Sequence, residues 1–266
     1  MRRNYNLEII RMISCFFVIV IHVTNYFCRA YGEITQSEYL FALLLDTLAR
    51  VSVPCFFMIS GALLLGREEP LKKHRERLLR FLIALVVWSV VYYIWNRAFM
   101  KTEYNLKEIL YVPTEPHLWY LYAMIPIYMV LPFFQVMCKG MSRKLERTLL
   151  VVCGASVVFN YMVSLQNGEA YYDLPLVGDK VYMFYIFIGY FIYKYRREIR
   201  ISQKGAAAIF SGCMTGMFAL TVFLTQRSGE HYERVLEYGC PLIVLAGAAF
   251  FMILIRWQDC EIRLKE

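Results

Sequence analysis

Arg11 and His22 are the earliest residues in the chain whose types and spacing could do chemistry. They fall in the run Asn6-Leu7-Glu8-Ile9-Ile10-Arg11-Met12-Ile13-Ser14-Cys15-Phe16-Phe17-Val18-Ile19-Val20-Ile21-His22. In a helix, eleven steps of about 100° bring His22 back to within roughly 20° of Arg11, so the two share a face, about 16 Å apart along the axis. The run is too apolar for a water-facing helix, which holds both groups in or near lipid, where ionisable side chains are expensive and tend to be functional. A buried imidazole stays neutral because desolvation disfavours its charged form, and a neutral imidazole is what a general base requires. Glu8, three residues before Arg11, is placed to pair with it. The same spacing also fits an arginine snorkelling to the interface and a histidine bonded across a helix pair.

A second set lies in Leu45-Asp46-Thr47-Leu48-Ala49-Arg50-Val51-Ser52-Val53-Pro54-Cys55-Phe56-Phe57-Met58-Ile59-Ser60-Gly61. Asp46 and Arg50, four apart, can offset each other's charge, and Pro54 leaves the Arg50 carbonyl without its helical donor. A carbonyl freed in lipid must be satisfied by protein or water, so this segment is expected to border a polar cavity. Two readings remain: an inert ion pair, or part of an active cavity shared with His22. Ser60-Gly61 lacks the full G-x-S-x-G of a nucleophile elbow and reads more simply as a small helix-packing pair. A third set is Glu115-Pro116-His117-Leu118-Trp119-Tyr120-Leu121. Trp119 and Tyr120 suit interface anchors, and His117 opens to the outer face, where it could orient an acceptor. His74 and His231 have no comparable context and read as solvated.

The elements that position these residues are membrane spans. Of 266 residues, 59% are hydrophobic and 19% charged, with mean hydropathy +0.45, which excludes an ordinary soluble domain. The formal charge of +8 does not point to nucleic acid, since the basic residues alternate with spans rather than gathering on one surface. The eight cysteines contain no C-x-x-C and read as small packing residues, with no metal site implied. Met1-Arg2-Arg3 and the apolar run after it read as a retained first span rather than a signal peptide.

Eight apolar stretches are long enough to cross a bilayer: about 8–29, 40–66, 78–99, 118–138, 147–165, 180–195, 205–226 and 239–256. They predict an all-α, polytopic transmembrane helical bundle, a single domain over 1–266, with the sixth span the shortest. Alternate connections carry 20 of the 29 Lys and Arg residues against seven on the other side, Arg11 and Arg50 lying within spans. The positive-inside rule then puts both termini in the cytoplasm of a multi-pass inner or plasma membrane protein. The connection from Arg67 to Arg80 holds six cations in fourteen residues. Topology and attraction to anionic lipid explain it, and donor phosphates would be drawn to it as well. The absence of a glycine-rich phosphate loop disfavours an ATP-driven pump.

Taken together, Leu7-Glu8-Ile9-Ile10-Arg11 with His22, Arg50-Val51-Ser52-Val53-Pro54-Cys55 through Gly61, and His117-Leu118-Trp119-Tyr120-Leu121 resemble the acyltransferase-3 family of membrane O-acyltransferases. A looser likeness is Phe184-Tyr185-Ile186-Phe187-Ile188-Gly189-Tyr190. The likeness is nearest to bacterial enzymes that O-acetylate surface polysaccharides. It implies transfer of an acyl group, usually acetyl from cytoplasmic acetyl-CoA as co-substrate, with no bound cofactor, to a hydroxyl of an extracytoplasmic glycan or lipid-linked sugar. The family's arginine and histidine carry over to Arg11 and His22. His22 is then the base, or is itself acylated, and Arg50 stabilises the oxyanion. Arg11 meets the donor, and Glu8, Asp46, Ser60, His117 and Trp119 contribute substrate contacts. The family often has Asp where this chain has Glu8, and usually has about ten spans, so the chain reads as a short or C-terminally truncated member. Competing readings are a transporter or flippase of a glycan or lipid intermediate, and a catalytically silent sensor module; consumption of a thioester separates them from the transferase.

Overall fold

A computed structural model describes residues 4–101, 109, 111–168 and 181–257. Among the described residues the apolar stretches above lie in helices, that of 40–66 divided between two, and no strand occurs. The helices are α1 (Tyr5–Arg29), α2 (Gln36–Ala49), α3 (Ser52–Leu64), α4 (Leu71–Trp95), α5 (Trp119–Gly140), α6 (Arg143–Ser164), α7 (Tyr182–Tyr195), α8 (Gln203–Ser228) and α9 (Pro241–Ile255). Seven helical segments among the described residues are long and apolar enough to cross a membrane, α2 and α3 together forming one of them. At 14 residues α7 is short of that length, about 21 Å at the helical rise. Most of the connection before it, 169–180, lies outside the described residues.

The chain forms two compact units, one from residues 1–64 and 142–266, the other from 65–141. In the first unit α7 is the centre: every residue from Met183 to Ile192 is buried. It lies directly against α3, and two glycines permit the approach. A Cβ on Gly61 would stand 1.9 Å from the Ile186 carbonyl oxygen, and one on Gly189 would stand 2.1 Å from that of Met58. Ser60-Gly61 is therefore a packing pair, with the Ser60 hydroxyl donating to the Phe56 carbonyl at 3.0 Å.

Around this pair, α1 packs with the stripe Leu7, Ile10, Ser14, Ile21, Thr24 and Cys28, spaced by threes, fours and sevens as a helix face demands. Its start is tied to the end of α9 by Asn6, whose amide donates to the Ile255 carbonyl at 2.8 Å and so satisfies a helix-terminal acceptor. Thr35 and Glu38 form a capping box at the start of α2. The opposite face of α1, with Met12, Phe16, Ile19 and Val23, is exposed and apolar, as a lipid-facing surface should be.

In the second unit α4 and α5 pair, with Phe81 and Tyr128 rings 4.6 Å apart. At the far end of α4, Asn96 donates to Glu115 at 2.8 Å, securing the short turn that carries His117.

Candidate active site

The helix break decides the geometry of the site. α2 ends at Ala49 and α3 begins at Ser52, with Pro54 as its third residue, where a missing backbone N–H is tolerated. Arg50 closes α2, its backbone N–H bonded to the carbonyls of Asp46 and Thr47 at 3.1 and 3.3 Å. A cation is favoured there by the helix dipole. Its side chain turns inward, with Nε 2.7 Å from Asp46 Oδ2. Both partners are buried, the Asp46 side chain completely and that of Arg50 to all but 7%. The other carboxylate oxygen of Asp46 accepts from the Thr24 hydroxyl at 3.0 Å, so α1 and α2 meet at one acid.

Three consequences follow. Both Asp46 oxygens are engaged by protein, so this residue orients Arg50 and α1 rather than presenting an oxygen to a substrate. Arg50 keeps Nη2 buried with no hydrogen-bond partner, a fixed donor in a dry place. The neighbouring hydroxyl of Ser52 is likewise buried and unpartnered. A buried guanidinium donor aimed at a position where negative charge can develop is the physical requirement for stabilising an oxyanion.

Arg11 and His22 occupy α1 as the spacing predicts, and Arg11 meets Glu8 at 2.7 Å, both about two-fifths exposed. The expected burial of His22 is corrected: the residue is exposed. Ile21 and Thr24 take the packed stripe of α1, and one residue of helical rotation, about 100°, carries His22 off it. The imidazole is accessible rather than sealed in the core, and it stands two residues from the threonine that holds Asp46.

The family model described as an acyltransferase domain matches residues 4–263. The chain belongs to the acyltransferase-3 family. It is a multi-pass membrane protein and a membrane acyltransferase in general terms. Comparison with curated proteins and with solved structures gives no match.

In this acyltransferase His117 is exposed on the turn Pro116–Leu118, its ring edge-on to Tyr92 at 4.9 Å, and Trp119 is half-buried against Tyr120. The other two histidines depart from the solvated reading. His74 is buried, 6% exposed, with neither ring nitrogen hydrogen-bonded. It begins the face of α4 that continues through Ser89 and Asn96, a stripe legible only once the packed side of α4 is known. His231 is half-buried, with Nδ1 3.0 Å from the Tyr39 hydroxyl, which also meets Thr225 at 3.0 Å. Burial holds the His231 imidazole below its ordinary pKa, so it is neutral near pH 7. In the connection before α4, burial works against ionisation of Glu69, yet Arg77 at 2.8 Å and Arg67 hold its carboxyl below the usual range.

Thr24, Ser52 and His231 were not legible as site residues. Thr24 is one of many apolar-span threonines by sequence, and only the docking of α1 against α2 gives it a carboxylate.

Proposed function

We propose that this acyltransferase moves an acetyl group from cytoplasmic acetyl-CoA to a hydroxyl of an extracytoplasmic glycan or lipid-linked sugar. In this reading the acceptor oxygen attacks the thioester carbonyl, forming the C–O bond while the C–S bond breaks. The acceptor's proton passes to His22 and from there to the departing thiolate, so charge and atoms balance. Arg50 supplies Nη2 to the tetrahedral oxyanion, and Arg11 meets the donor's polar groups. Asp46 positions Arg50.

The observation that carries this reading is the buried Asp46–Arg50 pair, whose Nη2 has no hydrogen-bond partner, linked through Thr24 to the helix of His22. An inert ion pair would satisfy its donors inside the protein, because an unpartnered buried N–H is costly. An accessible imidazole on the same helix segment suits a base that must reach an incoming hydroxyl.

The experiment is thiol release. Purified protein in lipid nanodiscs, given acetyl-CoA and an acceptor glycan extract, is expected to liberate free CoA and to lose at least about 100-fold of that rate in His22→Ala. Thiol release at the His22→Ala level from folded wild-type protein, across acceptors, would overturn the reading.

A further inference from the structure

Where α6 begins and α7 ends, the first unit carries a cleft of about 620 Å³. Arg143, Arg147 and Arg200 lie around it, and Leu150, Ile188 and Phe191 form its apolar wall. The acids of this cleft are already engaged. Glu146 is buried, its oxygens 2.6 Å from Lys194 Nζ and 2.5 Å from the Tyr195 hydroxyl. Glu198 pairs with Arg143 at 2.9 Å, and that guanidinium also lies over the Tyr195 ring at 4.7 Å. Arg147 and Arg200 are left exposed, with no acidic partner among the described residues. Neither is loosely hung: Arg147 rises from α6, and Arg256 donates to the carbonyls of Ile199 and Ile201 at 2.7 and 2.6 Å, fixing the backbone on both sides of Arg200.

Two exposed cations on ordered backbone, without an acidic partner among the described residues, call for an anion, and the wall beside them calls for a hydrocarbon. α6 passes from Arg143-Lys144-Leu145-Glu146-Arg147 to Leu149-Leu150-Val151-Val152 over roughly 14 Å at the helical rise, so charge gives way to apolar surface in the order in which a lipid's headgroup gives way to its chains. A second groove, bordered by the same Arg143 and Arg147, adjoins with Lys144. Its positive charge is continuous with the cleft.

We propose that this cleft binds an anionic phospholipid of the surrounding leaflet, its phosphate between Arg147 and Arg200 and the first methylenes of one chain along Leu150, Ile188 and Phe191. A basic pocket between transmembrane helices at one membrane boundary is the arrangement that recognises anionic headgroups. The site is separate from the Asp46–Arg50 pair, and the proposal stands whatever the acyl acceptor is.

Native mass spectrometry of the full chain tests it, with dioleoylphosphatidylglycerol and dioleoylphosphatidylcholine added at equal concentration. Wild-type protein is expected to retain the glycerol lipid roughly tenfold over the choline lipid. Arg147→Gln/Arg200→Gln should bring that ratio to near one, and Arg147→Lys/Arg200→Lys should restore most of it. Leu150→Trp, which fills the apolar wall and leaves both cations, should weaken retention of the same lipid. Lys101→Gln/Lys204→Gln, an equal loss of charge at exposed lysines outside the cleft, should leave the ratio unchanged. An undiminished preference in the double glutamine variant, or an equal loss in the lysine control, overturns the proposal in favour of diffuse attraction. Displacement of the lipid by glycerophosphoglycerol at equal concentration overturns it in favour of a soluble phosphate. Restoration by the lysine pair distinguishes lost recognition from lost folding.

Discussion

At the scale of single residues, the chemistry turns on whether Arg50 is structural, catalytic or both. Removing it alone leaves Asp46 buried without a cation, a change that destabilises by about 3–5 kcal/mol. Arg50→Ala therefore cannot separate the roles. Asp46→Asn/Arg50→Gln keeps two hydrogen-bonding side chains and removes both charges, and is expected to unfold within a few degrees of wild type in detergent. Its thiol-release rate should nevertheless fall by about 100-fold or more, because the oxyanion donor has lost its charge. Activity near wild type in that folded double variant would return the pair to a purely structural role.

His231 makes a different kind of statement. Its folded pKa lies below the ordinary 6.5, so the folded state binds fewer protons than the unfolded one as pH falls. Stability associated with the neutral ring is complete above about pH 6.5 and declines as pH drops through that value toward the folded pKa. Thermal unfolding measured from pH 7.5 to 5 should show a larger loss of midpoint for wild type than for His231→Gln. Parallel curves would mean that burial does not hold the imidazole neutral.

Among the elements, the crossing of α3 and α7 fixes the frame in which the helix break sits. The approach is close because Gly61 and Gly189 carry no Cβ, and in each case the obstructing atoms are backbone, which cannot rotate aside. Gly189→Ala must separate the two helices. Overpacking of a tight core costs about 1–3 kcal/mol, and backbone obstruction places this change at the upper end or beyond. A loss of several degrees in the unfolding midpoint is expected. Gly154→Ala, whose new methyl would meet only the Phe184 ring at 3.4 Å, should be nearly neutral. Equal effects from the two would show that the crossing is looser than its geometry indicates. The helix break itself follows from local chemistry: Pro54 withholds a donor, and Arg50, held by Asp46 in the preceding turn, closes α2.

For the whole molecule, the decisive question is which side of the membrane each connection faces. The distribution of Lys and Arg, 20 against seven, argues for a cytoplasmic N-terminus, and the proposed donor and acceptor directions rest on it. Single cysteines at Lys73 and Glu230, in a chain lacking the native ones, test it in intact cells. An impermeant thiol reagent is expected to label the second and spare the first. Labelling at Lys73 would reverse the sides assigned to the thioester and the hydroxyl.

What the residues by themselves determined was everything that depends on near neighbours along the chain. Span positions follow from continuous apolar length, and the Glu8–Arg11 and Asp46–Arg50 pairs follow from helical spacing. Pro54 was legible as a residue that withholds a donor from the Arg50 carbonyl, and the division of that span into α2 and α3 came from the structure. The resemblance read from the motifs of the first, second and fourth spans agrees with the family match over residues 4–263. Tertiary structure alone decided which face of each helix is packed, because periodicity fixes angles between residues on one helix and says nothing of what lies against them. That is why His22 was expected inside and stands exposed, while His74 and His231 were expected in water and are withdrawn from it. It is also why Thr24 reaches Asp46 and why Gly61 faces Ile186 across more than a hundred residues: only the docking of helices distant in sequence brings those atoms within bonding and contact range.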